Sequence, residues 1–290
     1  MARPSVDVVV PFRGTPAQLE ALLASLDTLE LVVGDSLVVA DNTPGASVEA
    51  GHRSGRVLAA AGVEAPGFAR NRGAASGHAP WLVFFDADTV PLADLLDRYF
   101  DPPPAEGTAL LAGGVRDEEV PPRGPAVARY AYVSGAMSQD NTMGSGSWAF
   151  PQSANFACRR AAFEEVGGFR EDIRAGEDAD LTFRLRGVGW GLERRDAAGV
   201  VHRSRQTVRS FVRQKAIHGA GAAWISEHHP GALPARRRPG LTWWGVRRCV
   251  RGLATAARRR DRDEALEALL EPVEQLSYEF GRSLGNGVRK

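Results

Sequence analysis

The segment Trp81-Leu82-Val83-Phe84-Phe85-Asp86-Ala87-Asp88 restricts the fold more than any other stretch of the chain. An unbroken apolar run rich in aromatic and β-branched residues leaves no face for water, so it suits a strand covered on both sides. Such strands belong to α/β sheets with helices on both faces. The run stops where two aspartates begin, and open α/β sheets bind ligands in the crevice beyond the carboxyl ends of their strands. Side chains alternate along an extended backbone, which puts Asp86 and Asp88 on one side of it. Two carboxylates converging there suit a hard cation, Mg2+ or Mn2+, that in turn grips a diphosphate. The plainer alternative is a turn that ends the strand and caps a helix starting near Pro91.

The flanking pattern favours an α/β domain with a mostly parallel central sheet. Val6-Asp7-Val8-Val9-Val10-Pro11 is a second buried-strand pattern. Thr15-Pro16 then supplies a cap and a proline at the first helical position, and Leu19, Leu22, Leu23 and Leu26 recur at helical spacing. Leu37-Val38-Val39-Ala40-Asp41 closes this βαβ unit, again ending in an acid. A weak strand at Val57-Leu58, a helix from Ala65-Pro66 and the Trp81 strand follow. The pattern then predicts a helix over about 91–100, a strand at Ala109–Val115 and a helix over 126–137. Asn141–Trp148 reads as a polar loop that lines an acceptor pocket or is a plain surface excursion. Helices at 159–166 and 177–189 and a short strand at Val200-Val201-His202 complete the α/β part. Further helices are expected from Val208 to near Gly219, over 245–260, and over 262–284 with a break at Pro272. The predicted division is residues 1–204 as the α/β domain and 205–290 as a helical extension.

Composition excludes several classes. At 290 residues, 43% hydrophobic and 24% charged, the chain is an ordinary globular protein, and its net charge of +1 gives no case for bulk nucleic-acid binding. Cys158 and Cys249, the only cysteines, make neither a zinc site nor a disulfide framework. The first residues lack a signal-peptide layout, and no run of about 18 apolar residues occurs. The expectation is a cytoplasmic protein. The arginine-rich region from Arg236 to Arg262, with Trp243, Trp244, Arg247, Arg248 and Arg251, would suit peripheral contact with the inner face of a membrane. A solvated arginine face or a homodimer contact are the other readings.

Several motifs come in a recognisable order. Val6–Pro11, Asp41, Gly67-x-Ala69-Arg70-Asn71-x-Gly73 and Asp86-x-Asp88 are followed by Asn155-x-x-x-Arg159-Arg160-x-x-Phe163-x-x-x-Gly167-Gly168-Phe169 and Gly176-Glu177-Asp178-x-Asp180-Leu181. From about residue 5 to 220 the chain resembles family 2 glycosyltransferases with the GT-A fold. The resemblance implies a metal-dependent, inverting enzyme that moves one sugar from a nucleoside-diphosphate donor to an acceptor hydroxyl. It assigns Asp88 to the divalent metal, Asp86 to the metal and ribose, and His202 to the metal shell. Asp41 would contact the base, which favours a UDP-sugar. Pro11, Phe12, Arg13, Arg70, Asn71 and Ala87 would border the nucleotide, although Phe12-Arg13 departs from the small or polar pair usual there. Asp178, with Glu177 beside it, would be the general base. Asn155, Trp148 and Asp180 would face the acceptor, with Arg159-Arg160 beneath it. Gln214-Lys215-x-x-His218 would close over the diphosphate.

Two rivals remain. A sugar nucleotidylyltransferase needs a glycine-rich phosphate loop after the first strand, and Pro11-Phe12-Arg13-Gly14-Thr15 has one glycine. A non-catalytic nucleotide-sugar scaffold is free to lose acids, yet Asp86, Asp88, Glu177 and Asp178 are all present.

Overall fold

Aromatic packing around Phe84 sets the centre of the α/β unit. Its ring lies 5.4, 5.7 and 5.2 Å from those of Phe156, Phe163 and Phe169, inside a cluster that includes Val9, Leu82, Leu181 and Leu185. The structure, a computed structural model, describes residues 3–46, 50–52, 55–233 and 241–288.

The elements are β1 (Val6–Phe12), α1 (Pro16–Leu26), β2 (Ser36–Asp41), β3 (Ala50–His52), β4 (Gly55–Ala59), α2 (Pro66–Ala74), β5 (Trp81–Phe85), β6 (Thr89–Pro91), α3 (Leu95–Tyr99) and β7 (Thr108–Asp117). There follow α4 (Ala126–Ser134), α5 (Asp140–Met143), a 3-10 turn at Gly146–Trp148, β8 (Asn155–Arg159), α6 (Arg160–Glu165), α7 (Glu177–Gly187) and β9 (Gly191–His202). Helices α8 (Val208–His228), α9 (Leu241–Arg259) and α10 (Arg262–Gly281) end the chain.

The strands form one sheet in the order β3-β4-β2-β1-β5-β8-β7-β9-β6. From β4 through β2 and β1 to β5 the pairs are parallel, as the βαβ pattern predicts. Beyond β5 the sheet turns antiparallel, with β8 against β5 and β7, and β6 against β9. The sheet is therefore mixed rather than mostly parallel. Sequence periodicity reveals a strand's buried faces but not the direction of its partner.

Two compact units emerge: residues 1–116, 138–202 and 287–290, and residues 117–137 with 203–286. The predicted division at 204/205 gave 117–137 to the first domain, whereas these residues group with the later helices. In the second unit Tyr130 of α4 packs on Phe211 of α8 and donates a hydrogen bond to Glu274 of α10 at 2.7 Å. Helix α8 runs through Gly219, where an end was expected. A Cβ there would come within 2.0 Å of the Tyr278 carbonyl, so this glycine serves close helix packing and not a cap. Lys215, expected over the diphosphate, is bound to Glu274 at 2.5 Å and lies over the Phe211 ring.

A candidate nucleotide-sugar site at the carboxyl edge of the sheet

Strand pairing delivers the first part of the site. Parallel registers bring Phe12 beside Asp41 and Asp41 beside Ala59, so the carboxyl ends of β1, β2 and β4 share one corner. Asp41 is half-buried and accepts the Thr43 N–H at 2.9 Å, an Asx-turn that holds its carboxylate at the strand end. Asn42 donates to the Ala60 and Val63 carbonyls at 2.5 and 2.8 Å. Pro11 is half-buried here, Phe12 is buried, and Arg13 is exposed and pairs with Glu64 at 2.9 Å.

The turn after β5 carries Asp86, Ala87 and Asp88, all half-buried, and is closed by the Thr89 hydroxyl and N–H on the Asp86 carbonyl. Antiparallel pairing of β6 with β9 sets Thr89 opposite His202. That register brings the His202 Nε2 to 3.7 Å from the Asp88 Oδ2, although 113 positions separate the residues. Among the described residues no three His, Cys, Asp or Glu side chains gather as a metal cluster. A carboxylate and an imidazole do fit a divalent cation whose remaining ligands are diphosphate oxygens, since Mg2+-type sites commonly take only one or two protein carboxylates.

Asp86, expected to share the metal, also meets a buried cation. Its Oδ1 accepts from the Arg70 Nη2 at 2.6 Å. Arg70 is 2% exposed; it also donates to the Glu177 Oε1 at 2.8 Å and the Ser153 Oγ at 2.9 Å, while its Nε is buried without a hydrogen-bond partner among the described residues. The expectation that Arg70 lies along the nucleotide is thus corrected. Helix α2 buries it because Gly67 lets the helix approach the Arg170 carbonyl, where a Cβ would come within 2.1 Å. Burial opposes the Arg70 charge, but Asp86 and Glu177 outweigh it and its pKa is raised. Asn71, also expected at the nucleotide, instead clamps the loop after α6. It exchanges hydrogen bonds with the Phe169 backbone at 2.9 Å and donates to Glu171 at 2.8 Å.

Helix α7 presents the acidic cluster. Asp178 is half-buried; its Oδ2 accepts the Ser153 N–H at 3.1 Å and its Oδ1 the Ala179 N–H at 2.8 Å. Burial raises its pKa against those two N–H groups, which favour the carboxylate. Glu177 is buried under Arg70, and burial raises its carboxyl to about 7, opposed by Arg70 and reinforced by the Asp178 charge. Ser153 therefore touches both Arg70 and Asp178, and sequence reasoning missed it. A lone serine in the Gln152-Ser153-Ala154 loop carries no spacing signal.

A folded-state pKa above the unfolded value means that the native state holds the proton longer. The Glu177 contribution to stability is then full below the ordinary carboxylate range and is lost as pH rises towards about 7. Glu177→Gln is expected to flatten the fall in melting temperature between about pH 5 and pH 7 in EDTA. Parallel curves for the two proteins would refute this.

Of the three expected acceptor contacts, Asn155 and Asp180 are taken up inside the fold. Asn155 is fully buried, accepts from the Tyr99 hydroxyl at 2.5 Å and donates to the Gly114 and Ala198 carbonyls. It ties strands together and cannot meet an acceptor. Asp180 is buried and binds Arg184 at 2.8 Å, which also donates to the Val166 and Gly168 carbonyls. Trp148 is half-buried and stacks edge-on against Phe183 of α7 at 5.0 Å. Arg159 and Arg160 lie at the opposite end of β5, because antiparallel β8 pairs Asn155 with Phe85 and Arg159 with Trp81. Arg160 holds Asp7 there at 2.5 Å.

No family model matches the chain. Pre-mycofactocin glycosyltransferases from two strains of Mycobacterium tuberculosis are 30% identical to it over 237 residues, 78% of this chain and 48% of theirs. The chain spans about half the length of these curated relatives. A mannosyltransferase from Pyrobaculum calidifontis, solved with GDP-Man and Mn2+, superposes with a TM-score of 0.60 at 16% identity, over 97% of this chain and 86% of that one. Glucosyl-3-phosphoglycerate synthase from Mycobacterium tuberculosis, solved with Mg2+ and UDP, gives 0.54 at 16% identity over 80% and 81%. The fold is the GT-A fold. Over those 237 residues the sequence likeness, too, is to a glycosyltransferase.

Proposed function

We propose that the chain transfers a single sugar from a nucleoside diphosphate, a UDP-sugar by preference, to an acceptor hydroxyl with inversion. The observation that carries this reading is the hydrogen-bonded path from Asp86 through Arg70 and Ser153 to Asp178. It links a carboxylate at the donor end to one suited to act as base. Asp88 and His202 would hold Mn2+ or Mg2+, and the Asp41 corner would take the base. When bound, the cation neutralises charge that builds on the leaving diphosphate.

The protein's own part is positional and basic. Asp178 takes the proton of the acceptor hydroxyl as that oxygen attacks the anomeric carbon, and the bond to the diphosphate breaks on the opposite face. One displacement inverts the centre. Asp86, held by Arg70, orients the ribose. The relatives' names and the neighbours' bound GDP-Man and UDP support the nucleotide-sugar class.

Calorimetric titration of UDP, GDP and TDP, each with Mn2+ and with EDTA, tests the donor half. Metal-dependent binding of one nucleotide is expected, and Asp88→Ala should remove it, weakening affinity by at least about tenfold. Equal binding with EDTA, or an unaffected Asp88→Ala protein, would overturn the metal assignment.

A further inference from the structure

Helix α9 carries five arginines and no acidic residue. One side of it is occupied by α10. A Cβ on Gly252 would come within 2.7 Å of the Ala268 methyl, and Ala256 is buried. Arg248 and Arg259 reach Glu271 and Glu264 of α10 at 3.0 and 3.6 Å. At about 100° per residue, the positions roughly opposite Gly252 are 246, 247, 250, 254, 257 and 258. All six are exposed.

The middle of that outward face is apolar. Val246 and Val250 are 60% and 61% exposed, with Ala254 and Ala257 following them. Arg247, Arg251 and Arg258 run along one edge. Single exposed apolar residues need no explanation. Here two valines one turn apart are bordered by arginines on a helix without acids, while the acids that neutralise its other side belong to α10. That arrangement fits a helix lying in a lipid interface, apolar groups against the acyl boundary and guanidiniums on anionic headgroups. A second copy is a poor occupant, because packing the face on itself sets arginine against arginine. The side chains of Trp243 and Trp244, and residues 236–238, lie outside what is described and are not needed.

We infer that the outward face of α9 binds an anionic bilayer surface. The inference is independent of the glycosyltransferase reading. The test is co-sedimentation of the whole chain with vesicles of phosphatidylcholine alone and of equal parts phosphatidylcholine and phosphatidylglycerol. Binding to the anionic vesicles is expected, at least about tenfold weaker on the neutral ones and weakened by added salt. The Arg247→Glu, Arg251→Glu, Arg258→Glu triple variant should lose it, and Val246→Ser with Val250→Ser should weaken it at unchanged charge. Circular dichroism would verify that both variants keep their helices. Arg72→Glu, on α2, should bind as the parent does. Equal binding to both vesicle types, no binding to either, or full binding by the triple variant would overturn the inference. So would a dimer in sedimentation velocity that the valine double variant dissolves, since the face would then be a self-association surface.

Discussion

Asp178→Asn is expected to cut sugar transfer by at least about a hundredfold while metal-dependent nucleotide affinity stays within about twofold. Asparagine matches aspartate in size but cannot take a proton from an alcohol, and it accepts only one of the two N–H groups that hold the carboxylate. Donor binding should survive because Asp86, Asp88 and His202 are untouched. The raised Asp178 pKa adds a second readout. A base works only when deprotonated, so activity should fall on the acid side through a pKa above the ordinary aspartate range. Turnover by single-round assay, with calorimetry of the nucleotide, separates the two effects. Near-normal turnover would remove Asp178 from the mechanism.

Arg70→Met should produce the largest loss of stability of any single change at this site. Removing one partner of a buried ion pair typically costs about 3–5 kcal/mol, because the other charge stays buried and uncompensated. Here the group left behind is Glu177, 2.8 Å away with both side chains below a tenth exposed; at about pH 8 it must either stay charged or hold a proton against the solvent pH. The Asp86 pair adds less, since its carboxylate is about a third exposed and solvent screens it. A loss in the lower half of that range corresponds to a drop in melting temperature on the order of 10 °C for a unit of this size. Arg70→Met combined with Glu177→Gln should recover part of the drop, as the orphaned charge is gone. A melting temperature within about 2 °C of the parent's, or a double variant no better than the single one, would show that Arg70 is not the hub the geometry makes it.

Residues close in sequence declared themselves early. The apolar runs at Val6–Val10, Leu37–Ala40 and Trp81–Phe85 and the helical leucine spacing are local patterns, and they recur as β1, β2, β5 and α1. The glutamate and aspartates of α7 were visible as a cluster for the same reason. Strand β9 shows where local reading stops. Only Val200–His202 looked extended, yet the strand begins at Gly191, because Glu193, Arg194, Arg195 and Asp196 mask its alternation with charge. Arg195 is buried in the structure and donates to the Tyr99 and Pro102 carbonyls, a partnership that its neighbours in sequence do not suggest.

The amino-acid sequence by itself determined the α/β alternation, the acids at the strand ends and the acidic start of α7. Tertiary structure alone decided which of those groups meet. The antiparallel run of β8 carried Arg159 and Arg160 away from the site, and the β6–β9 register brought His202 to Asp88. Folding of α2 against the sheet turned Arg70 from an expected nucleotide contact into a buried tie between Asp86, Ser153 and Glu177. Periodicity reports which face of an element is apolar, and that is a property of neighbours along the chain. Pairing of charges depends on strand direction and register between segments far apart in sequence, which hydrophobic burial and backbone hydrogen bonding settle only when the whole sheet assembles.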